Sequence, residues 1–360
     1  MSINAGFHKL KIAEVRRETP DAVSVRFEIP EHLKQVFAFK AGQHLTLRTE
    51  LDGEDVRRNY SVCVAPSENE MRIAIKQMTP GRFSGWANAN LREGFEIEVL
   101  PPMGRFVAPD SAVQNPYYVA LAGGSGITPV ISIVKTVMEM QPTARFVLLY
   151  GNRNSASVIF LEELAGLKNR YMDRLELYHF LEDEAEEIEL FNGRLDREKC
   201  EAVFDSLVDV NSADAFFICG PGPMMDAAEA ALLSRHVPPE KILIERFTSS
   251  ALSAEQLAQR EALQQKAAGT ELIVTLDGRR VKIAFDPTKG SILDCVQAAG
   301  MPAPYACKGG VCTTCRAKIL EGQVTMTKNY GLNEDEVADG YVLTCQSVPV
   351  SAQVALSYDE

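Results

Sequence analysis

Three cysteines in one short loop, answered by a fourth far downstream, constrain this chain more than any other feature. The loop is Tyr305-Ala-Cys-Lys-Gly-Gly-Val-Cys-Thr-Thr-Cys315, with spacing Cys307-x4-Cys312-x2-Cys315, and the fourth thiol is Cys345. That is the plant-type spacing for a [2Fe–2S] cluster. Two irons bridged by two sulfides need four terminal thiolates. Three can come from one tight loop, and the fourth must come from elsewhere in the fold. Gly309 and Gly310 let the loop curl and bring backbone N–H groups toward sulfur, because glycine accepts positive φ without a Cβ clash. A structural zinc site usually pairs two short Cys-x2-Cys hooks, and here the second is missing. Zinc, or buried thiols holding nothing, is the alternative.

The rest of the composition narrows the surroundings of such a site. A chain of 360 residues suggests two or three domains. A net charge of -12 and a pI of about 5.1 disfavour nucleic acid or an anionic membrane as partner, and suit docking onto a basic patch of another protein. Met1-Ser-Ile-Asn-Ala-Gly-Phe-His8 has no charged head followed by an apolar run, so it does not read as a signal peptide. No apolar stretch approaches the length needed to span a bilayer. Eight cysteines, half of them in the cluster pattern, do not read as a disulfide framework, so the expected compartment is the cytoplasm.

From Lys9 to about Arg105 the sequence reads as short strands separated by turns, which suggests an antiparallel barrel. Val23-Ser-Val-Arg-Phe-Glu-Ile29 alternates at period two, and Leu51-Asp-Gly-Glu54 carries a hairpin-type Asp-Gly. Two segments in it look chemical. In Arg58-Asn-Tyr-Ser61 the guanidinium could hold phosphate, the phenol could lie against a ring system, and the hydroxyl could reach a ring nitrogen of a flavin. An ordinary exposed strand tyrosine is the other reading. In Pro80-Gly-Arg-Phe-Ser84 a turn leads into a short helix whose first N–H groups could bind phosphate, or Ser84 could simply cap that helix.

From Tyr117 the texture changes. Tyr117-Tyr-Val-Ala-Leu-Ala122 is a continuous apolar strand, followed by Gly123-Gly-Ser-Gly-Ile-Thr-Pro129 and an apolar helical run. Strand, glycine turn and helix form the phosphate-binding opening of a βαβ unit. Thr128 is expected to cap the helix and Pro129 to occupy its first position. Gly-x-Gly-x-x-Gly is not matched literally, so the turn reads as a variant dinucleotide site. After a second strand, Arg145–Tyr150, the loop holding Arg153 and Ser155 lies where an adenosine ribose is met. These two residues could bind a 2′-phosphate, which favours NADPH, whereas an acidic residue there would suit NADH. Cys219 ends a third apolar strand, at the edge where open α/β sheets place ligands. Cys63, Cys200 and Cys295 read as small packing residues. The acidic run Glu182–Glu189 reads as a solvated loop rather than a metal site. Thr248–Ala268, rich in Ser, Ala, Gln and Glu, reads as a linker with helical character. Beyond it come a second Asp-Gly hairpin, at Asp277-Gly278, a short helix and the cysteine loop.

Taken together, these stretches resemble the ferredoxin–NADP reductase superfamily fused to a C-terminal plant-type ferredoxin, and the likeness covers nearly the whole chain. Val15–Ser24, Gly42–Arg48 and Pro101–Phe106 look like the reductase subunits of ring-epoxidising oxygenase complexes. The resemblance implies a flavin-binding antiparallel β-barrel over residues 1–110 and a Rossmann-like parallel α/β nucleotide domain over 111–248. A linker over 249–267 and a β-grasp ferredoxin over 268–360 would follow. It also implies FAD contacts at Arg58 (phosphate), Tyr60 (ring), Ser61 (toward N5), Gly81 and Ser84 (pyrophosphate). It places nicotinamide dinucleotide at Gly123, Gly124, Gly126 and Thr128, with Cys219 near the nicotinamide and Phe247 bordering the flavin. Related reductases use FMN or NADH, so both choices stay open.

The function implied is an electron relay from NADPH through FAD and the [2Fe–2S] cluster to a di-iron oxygenase subunit, with no membrane or nucleic-acid partner. NADPH delivers electrons in pairs and a cluster takes them singly, so a flavin must stand between them. No general acid or base is needed, in keeping with five histidines that form no cluster. The competing readings are the NADH-linked reductase of a steroid or alkane hydroxylase, a redox-sensing module without turnover, and a zinc-bearing adaptor.

Overall fold

The computed structural model describes residues 6–109, 113–247 and 252–360. The expected domain boundary near 110, the first residues of the expected linker and the Met1–Ala5 part of the N-terminal reading lie outside the described residues. The chain forms two compact units that divide between Glu245 and Arg246.

The first unit begins with six antiparallel strands: β1 (His8–Thr19), β2 (Ala22–Glu28), β3 (His44–Leu51), β4 (Glu54–Ser61), β5 (Met71–Lys76) and β6 (Glu96–Met103). Their order is β4-β3-β6-β1-β2-β5. The sheet closes where the end of β4 continues onto β5, through a Val62–Ile73 bridge and a 2.9 Å bond from Cys63 N to Arg72 O. The expected barrel is therefore present. Asp52 and Gly53 take φ of 54° and 77° between β3 and β4, the left-handed pair a two-residue hairpin requires. Helix α1 (Arg82–Asn90) plugs the barrel with Phe83, whose ring is fully buried. Losing such a ring costs about 3–5 kcal/mol.

The same unit then winds a parallel sheet from β7 (Tyr117–Gly123), α2 (Ile127–Met140), β8 (Arg145–Asn152), α3 (Leu161–Arg170), β9 (Leu175–Leu181), α4 (Arg197–Leu207), β10 (Ala215–Cys219), α5 (Gly222–Leu233) and β11 (Ile242–Glu245). Strand order is β11-β10-β7-β8-β9, all parallel. β7 and β10 are buried at every position, as strands covered by helices on both faces must be. This order puts the C-terminal ends of β7 and β10 side by side, with Ala122 opposite Cys219.

The second unit contains α6 (Ala254–Lys266), β12 (Glu271–Leu276), β13 (Arg279–Ala284), α7 (Ile292–Ala298), β14 (Arg316–Glu321), β15 (Val324–Met326), α8 (Glu334–Ala338), β16 (Tyr341–Leu343), β17 (Ser347–Pro349) and β18 (Gln353–Ser357). Its main sheet, β13-β12-β18-β14-β16, is mixed and packs on α7 in the expected β-grasp manner. Much of the stretch read as linker is α6, capped by Ser253, whose hydroxyl accepts from Gln256 N at 3.1 Å. The helix belongs to this unit: Leu263 packs on its core and the Gln264 amide donates to Gly290 O. Cys63, Cys200 and Cys295 are all buried, as packing residues should be.

Candidate redox sites

In the barrel, β4 delivers three neighbouring groups in different states. Arg58 is exposed and its Nη1 donates to the Arg57 carbonyl, at 2.7 Å. Tyr60 lies 5.7 Å from the Phe83 ring, and burial raises its phenol. Ser61 is 2% exposed, yet its Oγ has no hydrogen-bond partner among the described residues. A buried hydroxyl left unmatched costs about 1–3 kcal/mol, so the barrel presents a polar atom awaiting an outside partner.

Ser84 does not cap α1. The helix is capped by Gly81, and Ser84 Oγ instead accepts from Met78 N at 3.0 Å from within the first turn. A Cβ on Gly81 would stand 2.5 Å from that hydroxyl and 2.6 Å from the Met78 carbonyl, so only glycine fits. The first N–H groups of α1 have no intrahelical partner. An orphan hydroxyl, a glycine cradle, free helix N–H groups and an exposed guanidinium suit a flavin with its phosphates.

At the end of β7, the chain turns through Gly123–Gly126 into α2. A Cβ on Gly126 would meet the Cys219 carbonyl oxygen at 2.0 Å, and one on Gly123 would meet Pro221 at 2.6 Å. Gly124 has φ of 51°. Thr128 is not the cap: a single 3-10 turn precedes the helix, which starts at Ile127. Thr128 Oγ1 donates back to Ser125 O at 3.0 Å, and Pro129 is the third helical residue rather than the first. The turn is thus pressed against the end of β10, beside the fully buried Cys219, whose thiol is pushed up by burial and then by the Glu245 carboxylate.

Glu245 was missed by the sequence reading, although it pairs in register with Cys219 at the same edge of the sheet. Its Oε1 lies 3.8 Å from Nδ1 of the neutral His44 on β3, beyond hydrogen-bond reach, so the carboxylate stands where sheet and barrel approach. Burial holds His44 down to about 4. Asn59 Oδ1 accepts from Thr46, which turns Asn59 Nδ2 to His44 Nε2 at 3.4 Å; the neutral ring therefore carries its proton on Nδ1.

In the loop after β8, Arg153 is exposed, with no ion pair among the described residues. Ser155 is engaged by a residue from the acidic run, since its N–H and hydroxyl donate to Glu184 Oε1 at 3.0 and 2.9 Å. Phe247 lies half-buried just beyond β11, in the second unit.

In the second unit the four thiols stand two and two. Cys307 and Cys312 exchange bonds within their loop: Cys312 N donates to Cys307 Sγ and Cys307 N to Cys312 Sγ, each at 3.4 Å. Cys345 sits beside Cys315, whose thiol holds the Cys345 sulfur below its ordinary value. Sharing with Cys312, then the backbone N–H groups of the loop, brings Cys307 down to about 6. Gly309 N donates to Cys307 Sγ at 3.3 Å, as expected. The curl itself falls on Lys308, Gly310 and Thr313, with φ of 49°, 78° and 56°. Gln346 Nε2 binds Lys308 O at 2.8 Å and reaches Cys345 Sγ at 3.6 Å, tying the loop to the distant cysteine. Among the described residues no three His, Cys, Asp or Glu side chains gather as one metal ion would require. Two pairs of thiols fit a two-iron cluster better than a single zinc.

These sites and folds define a flavin- and nucleotide-binding reductase with an iron–sulfur domain. Residues 9–107 match the oxidoreductase FAD-binding domain family, 120–230 the oxidoreductase NAD-binding domain family, and 274–350 the 2Fe-2S iron-sulfur cluster binding domain family. The chain belongs to the ferredoxin–NADP reductase superfamily with a C-terminal [2Fe–2S] ferredoxin, among the reductase components of oxygenases. It is similar to one of the subunits of the 1,2-phenylacetyl-CoA epoxidase of Escherichia coli (strain K12), with 40% identity over 98% of both chains. It is also similar to the ferredoxin reductase component of 3-ketosteroid-9-alpha-monooxygenase from Rhodococcus rhodochrous, with 34% identity over 97% of this chain and 96% of the other. Phthalate dioxygenase reductase shares the fold, with a TM-score of 0.60, 23% identity and 98% of both chains covered.

Proposed function

We propose that this chain is the reductase subunit of a phenylacetyl-CoA 1,2-epoxidase complex, carrying electrons from NADPH to a di-iron oxygenase subunit in the cytoplasm. What carries the reading is the 40% identity to a component of that epoxidase along both full chains, in a chain that also holds all three candidate sites. No helix among the described residues is long and apolar enough to cross a membrane. We divide the chain into a FAD domain to about residue 110, a nucleotide domain to 248, a connection over 249–267 whose helix α6 packs on the domain that follows it, and the ferredoxin domain from 268.

When bound, FAD takes electrons in pairs from the reduced nicotinamide and passes them singly to the [2Fe–2S] cluster. The chain's own residues bind and align. Arg58 holds flavin phosphate, Tyr60 lies against the ring, and Ser61 supplies its unmatched hydroxyl near N5. Gly81 and the first N–H groups of α1 receive the pyrophosphate, with Ser84 shaping that turn. Gly123, Gly124, Gly126 and Thr128 leave room for the dinucleotide, and Cys219 with Glu245 borders the nicotinamide. Cys307, Cys312, Cys315 and Cys345 would hold the cluster, as two pairs of thiolates.

Arg153, exposed and without an ion pair among the described residues, supports NADPH through its 2′-phosphate, with Ser155 beside it. One observation favours NADH as a second reading: Glu184 takes both Ser155 donors and sets a carboxylate where a phosphate would come. Reconstitution tests the proposal. The chain is mixed with a phenylacetyl-CoA epoxidase oxygenase component, and separately with a steroid hydroxylase, and product is measured with each nucleotide. Product only with the steroid enzyme would overturn it.

A further inference from the structure

Helix α2 is almost wholly buried, and most of its residues are apolar. Ser132, Lys135 and Glu139 break that pattern at spacings of three and four, which places them on one face. That face meets the segment leaving the barrel just after Ser61. Ser132 Oγ donates to Val64 O at 2.6 Å, Lys135 Nζ donates to Cys63 O at 3.3 Å, and Ser67 Oγ donates to Glu139. Lys135 also pairs with Glu68 Oε1 at 3.1 Å and closely with Glu163 of α3. Ser132 is 0% exposed and Lys135 8%.

The carbonyls of Cys63 and Val64 lie where the strand leaves the barrel ladder, and buried backbone groups must find partners. Here the donors come from α2, the helix that opens with the dinucleotide turn. A buried ammonium is costly to desolvate, and an apolar side chain of the same length would often hold such a helix equally well. What an apolar residue cannot do is grip the carbonyl two residues beyond Ser61. We propose that Lys135, assisted by Ser132, is a positioning residue that sets the distance between the dinucleotide turn and Ser61, and so the alignment of nicotinamide and flavin. The inference rests on the reading of those two sites given above.

The test uses the full, flavin-loaded chain and the variants Lys135→Met, Lys135→Arg and Ser132→Ala. Flavin bleaching by NADPH is followed in single turnover over a range of nucleotide concentrations. The flavin difference spectrum on adding oxidised nucleotide is recorded without turnover. Misplacement of about 1 Å can cost up to about a hundredfold in rate. We expect Lys135→Met to lower the limiting bleaching rate by about tenfold to a hundredfold and Ser132→Ala by several-fold. In both, the difference spectrum weakens, nucleotide affinity stays within about twofold, and Lys135→Arg recovers most of the loss. Unchanged limiting rate and spectrum in both variants would overturn the inference. So would a loss that follows melting temperature and that Lys135→Arg does not relieve. If Lys135→Met fails to fold, Ser132→Ala, which strands no charge, decides alone. Absence of bleaching in the unmodified chain with NADPH and with NADH alike would overturn the underlying site reading, and the inference with it.

Discussion

Gly126 lies against Cys219 so closely that a methyl group on it would stand 2.0 Å from the Cys219 carbonyl oxygen. The Gly123–Gly126 turn and the end of the neighbouring strand are thereby locked as one surface. Gly126→Ala should force the turn away from β10, at a cost of about 1–3 kcal/mol. The expected result is a KM for the nucleotide raised by about tenfold or more, with the flavin spectrum retained. Steady-state kinetics checks this, and an unchanged KM would count against the assignment.

The Ser61 hydroxyl gives a prediction of opposite sign for the empty and the loaded protein. Without flavin it is a buried group with no partner among the described residues, so Ser61→Ala should leave the melting temperature of the apoprotein equal or higher. With flavin bound, the same change should slow bleaching by NADPH about tenfold or more. A clearly lower apoprotein melting temperature would show that the hydroxyl already has a protein partner.

His44 makes stability depend on pH. Burial lowers its folded value to about 4, against an ordinary value near 6.5. Between those values the unfolded chain binds the extra proton, so stability is fully present above about 6.5 and is lost as pH falls toward 4. The loss from this group is at most about 3 kcal/mol. Urea midpoints at pH 7 and pH 5 should differ less in His44→Asn than in the unmodified protein; an equal difference would assign the acid sensitivity elsewhere.

The nucleotide loop offers a specificity test. Arg153→Ala should lower kcat/KM for NADPH by about tenfold or more while changing NADH by less than about twofold. Glu184→Gln, by removing the carboxylate on Ser155, should shift the ratio toward NADPH. If Arg153→Ala affects both nucleotides equally, the second reading, NADH, gains.

The fold is legible in the sequence at positions where the local residue types admit few conformations. Asp52-Gly53 and Asp277-Gly278 make their hairpins because few other pairs accept two left-handed residues in succession. The cysteine loop and β7 with its glycine turn were legible for the same reason. Helix starts were not: a 3-10 turn before α2 moves the cap from Thr128 to Gly126, and Ser84 bonds Met78 from inside α1. Boundaries of this kind depend on hydrogen-bond geometry that composition does not carry. Glu184 on Ser155 and Lys135 on Cys63 join residues 29 and 72 positions apart, beyond any local pattern. Glu245 was within reach, since it ends a parallel strand beside Cys219 and the rule that singled out one applies to both.

The pairing of Cys315 with Cys345 carries the central claim, because it completes the second half of a two-iron site. Iron, acid-labile sulfide and the low-temperature EPR signal after reduction should be measured on the unmodified chain and on Cys345→Ala. The account predicts about two irons and two sulfides per chain with a rhombic signal, and their loss in the variant while the flavin absorbance persists. A Cys345→Ala protein that kept its iron, its sulfide and that signal would contradict it.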